Sequence, residues 1–453
     1  MNTNFEVTGR WFRPDNPDLV VSGVLSYSRT EGAELTVYGS LDADPLPKLF
    51  AQPDLSASEL IVGIATDGKV FTLVDCFSSG KSLNMIGGWT TRFKSSYVVI
   101  GAHFQGPKDV QFTALSINYA SLEEWMDASG FAVKHEEIFQ GKLTVEYARP
   151  EALEMPLGGF TLRFEIAGPS ISADALHEVR VGQRAWIRLS SECELDLDDY
   201  LKIHRRIQDF LSIAMGRPTT IVTIQAMVAH APDSSDGVPP KDIRVEVLIP
   251  DRWPYMQQKP IGREDMLFSM PDVATQLPEL LNKWLSSSEL LQPVYDLYFS
   301  VIYNPYLYVE NTFLSHIQAL ETYHRMRYGG KYQSDEDYLG GLYVTLRDSI
   351  PAGVDKNFRQ SLVLGRLRYA NEYSLRKRLQ DLLDILAKDC SLTFGDDAFV
   401  NQVSDTRNYL THYDTALKGK AATGRDLYEL TQQLRALLEV VMLREFGIEG
   451  IGE

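Results

Sequence analysis

Cysteine is scarce: 453 residues hold three, Cys76, Cys193 and Cys390, and none belongs to a CxxC pair. That excludes a disulfide scaffold and a zinc ribbon, and a reducing, cytoplasmic setting is expected. Long apolar runs are missing too. None reaches the roughly 18 residues that a membrane-spanning helix needs, so no membrane partner is expected. The opening "MNTNFEVTGRWF" lacks a basic region followed by an apolar core, so a secretory leader is not expected either. There is no internal repeat, no low-complexity tract and no convincing metal site, and no metal or cofactor is expected. Positive charge runs short, with 44 Lys+Arg against 61 Asp+Glu and a net charge of −17. A nonspecific nucleic-acid binder needs clustered cations, so that class is disfavoured. The deficit is uneven, however. Residues 310–453 carry 18 basic against 21 acidic residues, and the remaining 309 carry 26 against 40. The C-terminal third is the part least repelled by a polyanion.

What is present reads as two parts. The length suggests two or three domains. The first half is rich in short β-branched runs bounded by turns: "LVVSGVLSYS", "AELTVYGSL", "SYVVIGAHF", "VQFTALSINY", "FTLRFEIAG", "EVRVGQRAWIRLSS", "TIVTIQAMVA" and "DIRVEVLIP". "ELIVGIATDGKVFTLVDCF" predicts a hairpin with Asp67-Gly68 in a type I′ turn. Two helices interrupt the strands. One is "SLEEWMDA", with Ser121 and Glu124 at capping-box spacing, and the other is "DLDDYLKIHRRIQDFLSIAMG", stopped by Gly216-Arg217-Pro218. The loop "PDSSDGVPPK" separates the last two strands. From Asp272 onward the period is helical. The fold class is therefore α+β multidomain: a β-rich domain over residues 1–270, then an all-α domain over 271–453. In the β-rich part, Trp11, Phe12, Tyr27, Tyr38, Trp89 and Phe93 are read mainly as aromatic core, with a ligand platform as the alternative.

Within the helical part, "SDTRNYLTHYD" (404–414) draws notice because Arg407 and His412 are the only Arg-x(4–6)-His match among eight histidines. About one such match is expected by chance in a chain this long. On spacing alone, a solvated arginine and a half-buried histidine on an ordinary helix is the plainer account. The surroundings favour more. Ser404 or Asp405 is a good N-cap, which would place Arg407 and Asn408 in a first helical turn, where free N–H groups and the positive dipole end attract an anion. Asn408 and His412 are four apart and share a face. Arg407 lies about 140° round from His412, within reach of a common ligand for a long side chain.

"TRNYLTHYD", set in a helical domain, resembles the catalytic motif of the HEPN ribonuclease superfamily. Arg407 and His412 match the motif's Arg and His, and Asn408 matches the polar residue that commonly follows the Arg. "GRWFRPDNPDLVVSGVLSY", "LTVYGSL", "GKVFTLVDC" and "YVVIGAHF" are similar to the β-rich N-terminal domain of ApeA-type anti-phage defence proteins. The resemblance covers essentially the whole chain, with one departure at Trp11-Phe12, where two tryptophans are expected. It implies a HEPN nuclease of an abortive-infection system that cleaves RNA without a metal or cofactor. The expected partners are an RNA substrate, a phage-derived trigger at the N-terminal domain, and a second copy forming a homodimer or higher homo-oligomer. In such a site His412 would move a proton, Arg407 would stabilise phosphorane charge, and Asn408 would position the phosphate or the imidazole. A rival from another class is a non-catalytic HEPN module that binds RNA or nucleotide, or only dimerises.

Two neighbouring features carry weaker expectations. In "FLSHIQALETYHRM", Phe313, Ile317, Leu320 and His324 trace an apolar stripe, so Glu321 and His324 read as a hydrogen-bonded core or rim pair. The alternative gives Glu321 a supporting role, orienting His412 or Arg407. In "GRLRYANEYSLRKRLQDLLDIL", Arg366, Arg368, Arg376, Lys377 and Arg378 read as a solvated face paired with acids. The alternative is an RNA-backbone track, with Arg376, Lys377 and Arg378 as substrate-binding residues.

Overall fold

The computed structural model describes residues 4–42, 59–84, 88–136, 142–174, 176–229, 242–251, 261–390 and 395–448. The loop 232–241 lies outside them. The chain divides into two compact units, 1–278 and 279–453, against the expected change at 270/271. The first is β-rich and the second entirely helical, as the α+β reading requires.

The first unit contains β1 (Phe5–Arg13), β2 (Asn16–Ser28), β3 (Gly32–Val37), β4 (Glu59–Ala65), β5 (Val70–Asn84), β6 (Gly88–Ser95), β7 (Tyr97–Ile100) and β8 (Phe112–Tyr119). A helix, α1 (Leu122–Met126), precedes β9 (Phe131–Glu136), β10 (Lys142–Tyr147), β11 (Leu153–Leu157), β12 (Phe160–Asp174) and β13 (Glu178–Leu195). Then come α2 (Leu197–Ala214), β14 (Ile221–Val228), β15 (Ile243–Leu248) and a short α3 (Met270–Val273). The antiparallel pairings β1–β2, β2–β3, β3–β6, β6–β5, β5–β4 and β4–β1 close a six-stranded ring. Closure leaves this ring no free edge to template aggregation. Trp11, Leu25, Leu35, Phe71, Leu73 and Phe93 fill it. Trp11 lies over Gly63, its cross-strand partner, where a β-carbon would collide with the indole. Of the aromatic set, Trp11, Tyr27 and Phe93 are core and Tyr38 is exposed. From β5 the sheet continues through β7, β15, β14, β8, β13 and β12 to β11. On this extension Trp125 of α1 meets Phe164 and Phe210, and Tyr119 donates its hydroxyl to the carbonyl of buried His204. β9 and β10 form a separate hairpin that the sequence reading passes over.

Two local expectations are corrected. The β4–β5 turn is not type I′, because Asp67 has no positive φ. The Gly68 N–H donates to Ala65 O, and Gly68 alone takes the left-handed conformation at φ +85°. This is a type I turn over Thr66-Asp67 followed by a glycine bulge, one residue longer than the pattern suggested. The capping box at α1 does not form either. Ser121 sits at φ +61° with no side-chain cap, and its hydroxyl accepts from Arg217 instead.

The second unit contains α4 (Leu277–Ile302), α5 (Val309–Tyr328), α6 (Asp335–Gly340), α7 (Leu342–Asp348) and α8 (Lys356–Gln360), which runs into a π-helical segment, Ser361–Leu367. Then follow α9 (Leu375–Cys390), α10 (Asp397–His412) and α11 (Gly424–Phe446). The long helices pack around an aromatic knot, with Trp284 4.7 Å from both Tyr295 and Phe446. A buried polar group sits within: Tyr298 donates to Glu439 at 2.6 Å and Arg435 donates to the same carboxylate at 2.7 Å. No helix among the described residues is long and apolar enough to cross a membrane.

Candidate functional site

α10 begins eight residues earlier than Ser404 suggested. Asp396 is its N-cap, accepting from the Ala398 and Phe399 N–H groups, and Phe399, Val400, Val403, Ser404 and Thr406 form its buried face. Ser404 is therefore mid-helix and 3% exposed, and its hydroxyl has no hydrogen-bond partner. A serine caps only where backbone N–H groups are free, and here they are already used. Arg407 and Asn408 thus lie in the second half of the helix and His412 is its last residue. The chain turns at once, because Tyr413 takes the left-handed conformation at φ +52° and donates its N–H to Tyr409 O.

This placement reverses the electrostatic expectation. The end of α10 that carries His412 is its carboxyl, negative pole, and offers an anion nothing. A positive helix end arrives from elsewhere. The chain returns through Thr415–Leu417, and the Ala422 N–H donates to the Thr406 hydroxyl at 2.9 Å. That bond seats the start of α11 against the turn of α10 that carries Arg407. The Thr423 N-cap of α11 makes no side-chain cap, so its first-turn N–H groups are not taken by one. Thr406, fully buried, is the positioning residue that the sequence reading misses. Its only signal there is its place beside Arg407.

Arg407 Nη1 donates to Asn408 Oδ1 at 3.1 Å. Asn408 shares a face with His412, so this bond draws the guanidinium round the helix toward the imidazole's side. Among the described residues no carboxylate lies within ion-pair reach of Arg407, and His412 is exposed and without a hydrogen-bond partner. A half-buried guanidinium without a counter-ion is uncommon. Such a group holds its charge available for an incoming anion. Tyr409 and Tyr413, at the same end of α10, form an edge-to-face pair with centroids 5.7 Å apart.

The supporting residues distribute differently. Glu321 pairs with Arg325 on its own helix at 3.5 Å, and no contact among the described residues joins it to Arg407 or His412. His324 is a core histidine: its Nδ1 lies 3.0 Å from Arg378 Nη1 and its Nε2 3.3 Å from Asp381. Burial and the Arg378 cation hold its pKa below the usual imidazole value, against the opposing pull of Asp381. Arg376 pairs with Asp405 at 2.7 Å and ties α9 to α10. Lys377 pairs with Asp381 at 2.7 Å. Arg378 is 1% exposed, which removes it from any surface track. It donates to the carbonyls of Gly329, Gly330 and Tyr373, clamping the neck where the chain leaves α5 and later returns. Gly330, at φ +80°, must be glycine there, because a β-carbon would come within 2.6 Å of that guanidinium. No group of three or more His, Cys, Asp or Glu among the described residues could hold a metal ion.

Comparison with known families agrees with this division. Residues 6–284 match the model of ApeA N-terminal domain 1, and residues 314–450 match that of the Apea-like HEPN domain. No curated protein and no solved structure matches the chain. With one family model covering more than half of the residues and the other most of the helical part, the chain belongs to the ApeA family of defence-related HEPN proteins.

Proposed function

We propose that this protein is an endoribonuclease of anti-phage abortive infection, cutting RNA at Arg407, Asn408 and His412. The observation that carries the reading is the unpaired Arg407 guanidinium, turned by Asn408 toward the face of an exposed His412. RNA supplies its own nucleophile. The ribose 2′-OH attacks phosphorus as the P–O5′ bond breaks, leaving a 2′,3′-cyclic phosphate and a 5′-OH, and no metal is needed to make the nucleophile. The His412 imidazole takes the 2′-OH proton or returns one to the leaving 5′-oxygen, the acid–base role this side chain is suited to. Arg407 stabilises charge on the equatorial oxygens of the phosphorane, helped by the positive end of α11, whose N-cap Thr423 makes no side-chain cap. Asn408 holds the guanidinium in place and can donate its amide to the phosphate. One chain offers one such imidazole, whereas an acid and a base are both wanted, so two copies related by a two-fold axis share the cleft. The N-terminal unit then receives a phage-derived trigger or restrains the nuclease. DNA is inert for lack of the 2′-OH.

The test is cleavage of total RNA in EDTA by wild type, Arg407→Ala and His412→Ala. Cutting by wild type alone supports the reading. Equal cutting in all three contradicts it. Binding of RNA by all three without cutting points to the non-catalytic module.

A further inference from the structure

Between the neck residues Gly330 and Asn371, the chain makes an excursion almost without a core. Tyr338 is the only residue between 334 and 370 that is buried, and α7, α8 and the π-helical segment bury none. The neck is closed by Tyr332 N–H to Asn371 O and by the Asn371 amide to Gln333 O. Beyond α7 the charge changes sign. Lys356, Arg359, Arg366 and Arg368 fall within 13 residues, all exposed. The nearby carboxylates are already engaged: Asp355 caps α8 through the Asn357 and Phe358 N–H groups, and Asp348 pairs with Arg347 at 2.8 Å. In the acidic first turn of α6, Asp335 pairs with Lys331 and Asp337 accepts from the Ser334 hydroxyl, while Glu336 has no ion-pair partner among the described residues. No carboxylate among the described residues lies within ion-pair distance of the four cations. Two aromatic rings stand among them, Phe358 at 53% and Tyr369 at 59% exposure. In a chain of net charge −17 this is a local reversal. One of the four, Arg366, lies on the π-helical segment Ser361–Leu367, a backbone that is rare and often found at functional positions.

We infer that the segment 356–369 is the surface on which unpaired RNA docks before it reaches the cutting site. The inference rests on the nuclease reading above for its purpose, but not for its chemistry. Unpaired cations take phosphates by releasing counter-ions, and exposed rings stack on splayed bases. Duplex RNA hides its bases and offers the rings nothing. An acidic protein surface would answer the cations alone, whereas exposed rings interleaved with cations match bases interleaved with phosphates.

The experiment uses the full chain carrying His412→Ala. It measures anisotropy with a labelled, unstructured RNA roughly 20 nucleotides long, longer than one typical footprint, and with the same RNA annealed to its complement. Replacing Lys356, Arg359, Arg366 and Arg368 together with Gln should weaken single-strand binding about tenfold or more near 0.1 M salt. It should also flatten the salt dependence by about 0.7 of a log–log unit for each phosphate that is no longer neutralised. Phe358→Ala with Tyr369→Ala should weaken the single strand about tenfold and leave the duplex unchanged. Replacing the three arginines by Lys keeps the charge and should keep the salt slope, which separates lost charge from misfolding. Unchanged affinity and slope in the Gln variant would overturn the surface. So would a change of oligomeric state with RNA affinity intact, which would assign the lobe to a second copy. Cleavage, measured in parallel with His412 restored, keeps the two readings apart. RNA cut by wild type and Gln variant alike removes the docking surface only, whereas binding shifts as described with no cutting by wild type remove the nuclease only.

Discussion

Arg407 owes its availability to what does not surround it. An arginine normally finds a carboxylate, and the neighbouring cations of the bundle do: Arg376 with Asp405, Lys377 with Asp381, Arg425 with Glu429. Arg407 has Asn408 instead, which orients the guanidinium without neutralising it. Arg407→Ala should lower RNA cleavage by about 10²–10³-fold, the usual loss for one group aimed at transition-state charge. Arg407→Lys should not restore it, because an ammonium lacks the planar fork. Rate measurements with circular dichroism as a folding control check both. Arg378 and Arg376, two apart in sequence, should separate by energy. Arg378→Ala strands buried carbonyls and should cost about 3–5 kcal/mol, while Arg376→Ala removes a largely exposed pair worth about 1 kcal/mol or less. Chemical denaturation distinguishes them.

At the scale of elements, the site is a product of how two helices meet. α10 brings Arg407 and His412 at its negative end, and α11 brings a positive end to Thr406. Thr406→Val keeps the volume but removes the acceptor of the Ala422 N–H, leaving a buried donor unmet. A loss of about 1–3 kcal/mol in stability is expected, with a fall in cleavage rate larger than that of a surface control. The strands were largely legible because alternation and turn residues report a pleated sheet directly. The β4–β5 turn was misread because Asp67-Gly68 alone does not count loop length, and the longer turn moves glycine to the bulge. The helix start was misread for a related reason. "SDT" has cap chemistry wherever it occurs, but Asp396 stands in front of the apolar spacing Phe399, Val400, Val403, and that spacing shows where the helix begins. The basic run makes Arg378 look like a surface cation, but it lies four before Leu382 and beside Leu379, on the buried stripe of α9. The Arg-x(4)-His spacing was legible. The bond to Asn408, the missing counter-ion and the approach of α11 were not, since each depends on contacts that spacing does not encode.

At the scale of the molecule, an acidic β-rich unit is joined to a helical unit that carries nearly balanced charge. Both bury neutral imidazoles, and this sets a common acid limit. Desolvation pushes His204 in the first unit down to about 3, and desolvation with the Arg435 cation pushes His316 in the second down to about 4. Below pH about 6.5 the unfolded chain binds protons that the folded chain refuses, so stability is full above that pH and falls as the pH drops toward these values. For His316 the loss amounts to roughly 3 kcal/mol at most. Among the described residues neither ring nitrogen of His316 makes a well-formed hydrogen bond, with only a weak pull from the Thr431 backbone, so His316→Leu should leave stability near neutral pH unchanged or higher and make the acid-side decline shallower. Denaturation midpoints between pH 5 and 7.5 give the comparison.

The central claim concerns bonds in RNA, and the most direct measurement reads the ends they leave. Cells producing wild type, Arg407→Ala or His412→Ala are challenged with phage, and RNA ends are mapped for 5′-OH and 2′,3′-cyclic phosphate. The account predicts new paired ends of these two kinds with wild type alone. The same ends at equal abundance with His412→Ala, or none with wild type, would contradict it.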